Sequence, residues 1–140
     1  MTRVLTAVLF AVALAPTGAS AACLGAYPVV AHVTVENHMT KNQVTRYHLV
    51  GTVTNEGTQG QPANTLQFVD ISHDGTKLDS RGIPPLSLGA SYHFTYDFMR
   101  AEDAGADTTK LTFRMETQSG NNMQSENNCN PANHIYSITF

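Results

Sequence analysis

Apolar residues recur at every second position along most of this chain, the pattern of strands with one face buried and one wet. Val29, Ala31, Val33 and Val35 share one face of a first predicted strand, with Val30, His32 and Thr34 opposite. Asn37 to Asn42 is polar and predicts a turn. Tyr47, Leu49, Gly51 and Val53 then alternate with His48, Val50, Thr52 and Thr54 in a second strand, which Asn55-Glu56-Gly57 should end. Leu66 to Ser72 forms a third strand, and Asp74-Gly75 predicts a tight hairpin into a fourth over Thr76 to Arg81. Pro84-Pro85 cannot sit inside a sheet, because two ladder donors are missing. After a turn at Leu88-Gly89-Ala90, the row Tyr92, Phe94, Tyr96 and Phe98 marks a fifth strand whose aromatic face belongs in a core. Leu111, Phe113 and Met115 mark a sixth, an Asn-rich connection covers Gln118 to Asn133, and Ile135 to Phe140 closes the chain.

Seven short strands separated by turn signals predict an all-β fold, an antiparallel β-sandwich of immunoglobulin or fibronectin type III character. Up-and-down barrels usually need about eight strands or more. In such sandwiches the first and last strands often run parallel in one sheet, and that arrangement is expected here. No helical period appears after the N-terminal segment.

That segment has the layout of a secretory signal peptide. Arg3 precedes the apolar run Val4 to Ala15, Pro16 and Gly18 break it, and Ala19-Ser20-Ala21 offers small residues for cleavage. Cleavage after Ala21 would leave a single domain from Ala22 to Phe140. The apolar run falls short of the ~18 residues of a spanning helix, so no transmembrane segment is expected after cleavage. Acylation at Cys23 is the lesser alternative, because Ser20 stands where lipoprotein signals place an aliphatic residue. The expected location is secreted or periplasmic. The 140 residues carry a formal charge of −3, with 8 Lys+Arg against 11 Asp+Glu. That balance argues against nucleic acid as a partner.

In an oxidising compartment the two cysteines, Cys23 and Cys129, are most economically a disulfide joining the ends of the domain. Closing a loop of about 100 residues contributes up to ~4.7 kcal/mol in the chain-entropy account. Neither cysteine belongs to a Cys-x-x-Cys pair, so the bridge is expected to be structural.

Three stretches carry a family resemblance. Val53-Thr54-Asn55-Glu56-Gly57-Thr58 ends a strand with a Thr-Asn-x-Gly-Thr pattern, and Leu86-Ser87-Leu88-Gly89-Ala90-Ser91 looks like a Leu-x-Pro-Gly-x-Ser turn with Leu88 in place of proline. Asn121 to Asn128 is similar to a closing Glu-x-Asn-Asn segment. In this order, and with an aromatic strand between the second and third, they resemble the CARDB family, the cell adhesion related domain found in bacteria, across roughly Val29 to Phe140. The resemblance implies a seven-stranded sandwich acting as a non-catalytic binding or adhesion module of bacterial exported proteins. It gives Asn55, Gly57, Leu86 and Gly89 structural turn roles and transfers no catalytic residue and no cofactor. The implied partner is an envelope or extracellular protein, or a polysaccharide.

Other residues carry chemistry by type. His32, His48 and His93 lie opposite the apolar faces of their strands, and Met39, Met99 and Met123 lie in or near loops. Together they define an alternative function, a periplasmic sandwich holding a soft metal such as copper. No His-x-His or His-x3-His pair is present, so they are first taken as surface histidines and gap-filling methionines, and no metal is assigned. Glu102, Asp103 and Asp107 form an acidic loop whose spacing matches no calcium loop. Ser72, His73 and Asp74 are hydrolase residue types, but neighbours on one hairpin point in alternating directions and cannot form a triad. No enzyme is expected. A further alternative is a structural envelope subunit that self-associates by exchanging a strand.

Overall fold

The computed structural model describes residues 24–102, 108–119, 122–123 and 135–140. Among them there is no helix, and eight strands form two antiparallel sheets, consistent with the expected β-sandwich. The first sheet is β1 (Pro28–Lys41), β2 (Val44–Asn55) and β5 (Ser91–Ala101), in the order β1-β2-β5. The second runs β4 (Thr76–Ile83), β3 (Leu66–His73), β6 (Lys110–Ser119), with the two-residue β7 (Asn122–Met123) and β8 (Ile135–Thr139) both pairing with β6.

The alternation that predicts the strands also places the core. Leu49 and Val53 from β2 and Phe94 from β5 meet Val69 and Ile71 from β3 and Leu111, Phe113 and Met115 from β6, all buried. Phe94 and Phe113 pack with ring centroids 6.1 Å apart. Tyr47, Phe98 and Phe140 extend this core toward one end, with Tyr47 and Phe140 at 4.5 Å and the Arg100 guanidinium 5.2 Å from the Tyr47 ring. Tyr92 departs from the expected aromatic core row: it is 38% exposed at the start of β5.

Two tight turns follow from local chemistry. Asp74 and Gly75 both have positive φ (48° and 78°) between paired His73 and Thr76, the two-residue turn that Asp-Gly favours. Asn42 and Gln43 (50° and 62°) do the same between Lys41 and Val44. The turn expected over Asn37 to Asn42 is therefore confined to its last residue and the next. Residues 37–41 continue β1, because their partners on β2 supply a ladder that polarity alone does not reveal.

The face predicted for the first strand is also corrected. A register shift between Val30 and His32 turns Val29 and Val30 both inward and leaves Ala31 exposed, after which Val33 resumes the buried face. The first and last strands do not share a sheet. They lie on adjacent edges of the two sheets and run the same way: His32 meets Tyr136, and further along Tyr47, the partner of His38, meets Phe140. Cys23 and Cys129 lie outside the described residues.

Asn55 ties the loops at the other end. Its buried side-chain oxygen accepts hydrogen bonds from the backbone N–H of Tyr27 (2.8 Å) and Gly57 (3.1 Å). Its amide donates to the carbonyls of Gln59 (2.8 Å), Leu86 (3.2 Å) and Ser87 (3.3 Å). The chain entering β1 passes so close that a Cβ on Gly57 would lie 2.0 Å from the Gly25 carbonyl oxygen. Gly89 supplies a positive φ of 69° to the turn that brings its N–H to the Asn55 carbonyl. Asn55, Gly57, Leu86 and Gly89 thus meet in one hub, through the Asn55 side chain and the Asn55 carbonyl. Beside it, Gln67 and Gln61 pair amide to amide (2.7 and 2.8 Å), and Gln67 also donates to the Pro84 carbonyl at 2.7 Å.

Candidate functional site

The exposed face of the β1-β2-β5 sheet gathers most of the side chains singled out in the sequence. Register sets its rows: Met39, Arg46 and Met99 align across the three strands, as do Asn37, His48 and Asp97, and then His32, Thr52 and His93. Strand pairing over 50 residues of sequence brings these groups together, which explains why local spacing could not show it.

The central row is a charge cluster. Asp97 accepts from Arg46 Nη2 through Oδ2 and bonds His48 Nδ1 through Oδ1, both at 2.7 Å. His48 Nε2 lies 3.7 Å from Glu36 Oε2. The hydrogen bonds from Arg46 and His48 hold the Asp97 carboxyl below the ordinary carboxylate range. Thr52 Oγ1 and His93 Nδ1 are 3.0 Å apart, and His32 Nδ1 is 3.4 Å from the Tyr136 hydroxyl. The three histidines thus share one sheet but take separate partners. Among the described residues no three His, Cys, Asp or Glu side chains converge on one point.

Met39 and Met99 lie one on each side of Arg46 and line a single shallow groove with Lys41, Asn42 and Val44. They are 70% and 59% exposed, and Val44 is 39% exposed. Val44 carries no signal in the sequence that marks it as surface; it is exposed because it flanks the two-residue turn. The groove lining is thus largely apolar, with Arg46 between the two methionines and Lys41 as a second cation in it. Met123 lies on β7, on the other sheet.

The other candidates are placed elsewhere. Glu102 accepts from Thr45 Oγ1 at 2.9 Å and Thr40 Oγ1 at 3.3 Å, fastening the end of β5 to the β1–β2 hairpin, while Asp103 and Asp107 lie outside the described residues. His73 packs its ring against Phe98 at 5.7 Å and lies 3.5 Å from Asp74, and Ser72 sits on the opposite face of β3. On that outer face Asp70 bonds Lys77 (2.9 Å) and Ser80. Burial pushes the Asp70 carboxyl up, but Lys77 and Ser80 outweigh it, and the net direction is down. No helix among the described residues is long and apolar enough to cross a membrane. The chain matches no protein-family model, no curated protein and no solved structure.

Proposed function

We propose that this chain is an exported bacterial binding module, a non-catalytic sandwich of CARDB type that docks an envelope or extracellular protein through the hairpin end of its three-stranded sheet. The observation that carries this reading is the groove of Met39, Val44 and Met99 around Arg46. Methionine and arginine are enriched where proteins bind one another, and both line this groove. Methionine side chains are flexible and adapt to apolar partners. The groove is flanked by a tight turn on one side, and the Thr40–Thr45–Glu102 hydrogen bonds tie its strands together. Export is supported by the layout of residues 1–21, and the CARDB reading by the buried hub that occupies the motif positions Asn55, Gly57, Leu86 and Gly89.

One experiment tests both halves. A photo-crosslinking residue is placed at Met39, and at Thr112 on the opposite sheet as a control, in a bacterium producing the full chain. The expected result is a product beginning at Ala22 in the periplasmic or extracellular fraction, and an adduct with a different polypeptide from Met39 only. A chain that keeps residues 1–21 in the cytoplasm overturns export. Equal or absent adducts at the two positions overturn the docking face.

A further inference from the structure

We propose that two copies of this chain pair edge to edge through β5, antiparallel about a twofold axis at Thr95, to make a continuous six-stranded sheet. The inference goes beyond the binding reading and stands or falls separately from it. It begins from how the sheet edges are protected. Exposed edges invite strand addition, and proteins blunt them with bulges, charged side chains (lysine above all), proline, short strands or cover. Among the described residues, β1 carries two register shifts and meets Tyr136 of β8 along its edge. β4 has a register shift, carries Lys77 and Arg81, and runs into Pro84-Pro85. β8 has only 5 residues. Among the described residues β5 has 11 residues in unbroken register with β2 and hydrogen-bonds to no other strand; it carries Asp97 and Arg100, and Arg81 of β4 lies over its Tyr96 ring at 5.7 Å, but it has no bulge, proline, glycine or lysine.

The free edge is also self-complementary. Lys41 and Val44 close a two-residue turn and form a hydrogen-bonded pair, so odd-numbered residues of β2 bond toward β5. Their partners are Tyr92, Phe94, Tyr96, Phe98 and Arg100. The N–H and C=O groups of Ser91, His93, Thr95, Asp97 and Met99 therefore point away from β2, along the open edge. An axis at Thr95 sets Thr95 opposite Thr95 of the second copy, His93 opposite Asp97, and Ser91 opposite Met99, and all of these are hydrogen-bonding positions. On the inner face it sets Tyr92 opposite Phe98 and Phe94 opposite Tyr96. Aromatic pairs, threonine pairs and pairs that can carry opposite charge are the cross-strand combinations that stabilise sheets. Asp97 can take a further donor from His93, because a carboxylate offers about four acceptor sites and Arg46 and His48 use two. The partner that this edge fits is a second copy of the chain.

Sedimentation of the purified full-length product tests the proposal. The wild-type chain should be dimeric at about 100 µM and dissociate on dilution. Thr95 is exposed, so Thr95→Lys should keep the fold while placing two ammonium groups across the axis, weakening the dimer at least about tenfold. Thr34→Lys, on the bulged edge strand β1, should leave the dimer intact. Paired Cα atoms at hydrogen-bonded antiparallel positions lie about 5.5 Å apart, within disulfide reach. Thr95→Cys should therefore cross-link on oxidation far more than Thr34→Cys does. A wild-type chain that stays monomeric at that concentration overturns the proposal, as does a dimer that survives Thr95→Lys or cross-linking no greater at residue 95 than at 34. None of these outcomes bears on the adduct from Met39, which reports the docking face.

Discussion

Replacing Gly51 by alanine isolates one packing contact with a sign that can be read. Gly51 has no positive φ, so its backbone accepts any residue. In an open strand Gly→Ala would stabilise by about 0.5–1 kcal/mol, by removing freedom from the unfolded chain. Here a Cβ would stand 2.1, 2.4 and 2.8 Å from the Cζ, Cε1 and Cε2 atoms of Phe94, the cross-strand partner of Gly51. The ring cannot simply swing away: it is buried and packed against Phe113. Overpacking of this kind costs typically 1–3 kcal/mol. The steric loss outweighs the entropic gain, and Gly51→Ala should destabilise by about 2 kcal/mol.

Phe94→Ala alone should cost about 3–5 kcal/mol through the cavity it leaves. In the double variant the added methyl enters vacated space, so the combined loss should fall short of the sum by about 1–3 kcal/mol. Urea unfolding of the four proteins, with the midpoint shift read at constant slope, supplies the cycle. A stabilised Gly51→Ala, or a cycle that closes additively, would falsify the claim that the glycine exists to seat the ring.

Asn55→Ala should destabilise by about 3 kcal/mol, since it removes the five hydrogen bonds through which one buried side chain joins three loop segments; Asn55→Asp keeps the acceptor but should still unfold at lower urea than the parent. Gln43→Gly should raise stability by roughly 1 kcal/mol, because a side chain at φ 62° strains a turn that favours Asn-Gly; no gain in the urea midpoint would show that the turn geometry is wrong. The Asp70 carboxyl is held below its unfolded value, so its contribution is fully present above about pH 4 and is lost as pH falls through the folded pKa. Asp70→Asn should therefore be less stable than the parent at neutral pH, by no more than about 1 kcal/mol for a partly exposed group, with the two converging in acid. A gap that stays constant with pH would refute that account.

The features legible in the sequence are those set by nearest neighbours. Alternation at Leu111, Phe113 and Met115 gives β6 its buried face, and Asp74-Gly75 specifies its turn because only those residue types accept two positive φ angles cheaply. The bulge at Ala31 was not legible, because Ala, Val and His alternate there as a regular strand would, and only the partner register creates the slip. The turn near residue 40 lies later than polarity predicts, for the related reason that a hairpin arm need not be apolar once its backbone is paired. Asn55 and Gly57 were visible as a turn, but the buried partners that give Asn55 its weight lie 28 to 32 residues away. The surface cluster was hidden most completely. Arg46, His48 and Asp97 meet only when β2 and β5 align, and the groove of Met39 and Met99 needs β1 as well.

The two sheets divide the work unequally. The outer face of the second sheet is closed by its own ion pairs and hydrogen bonds: Lys77 and Ser80 on Asp70, and Arg114 on Glu116. The first sheet instead carries exposed methionines, the three exposed or half-buried histidines, and the regular open edge of β5. Its irregularities sit on β1, the strand facing β8, where a bulge can bend the edge toward cover. Were β5 merely an edge with no partner, a bulge or a proline like those of β1 and β4 would be expected on it, since a long regular strand courts indiscriminate pairing. A guarded edge on β1 and a regular one on β5 imply that pairing at β5 is specific, and the residue-by-residue match about Thr95 is what would make it so.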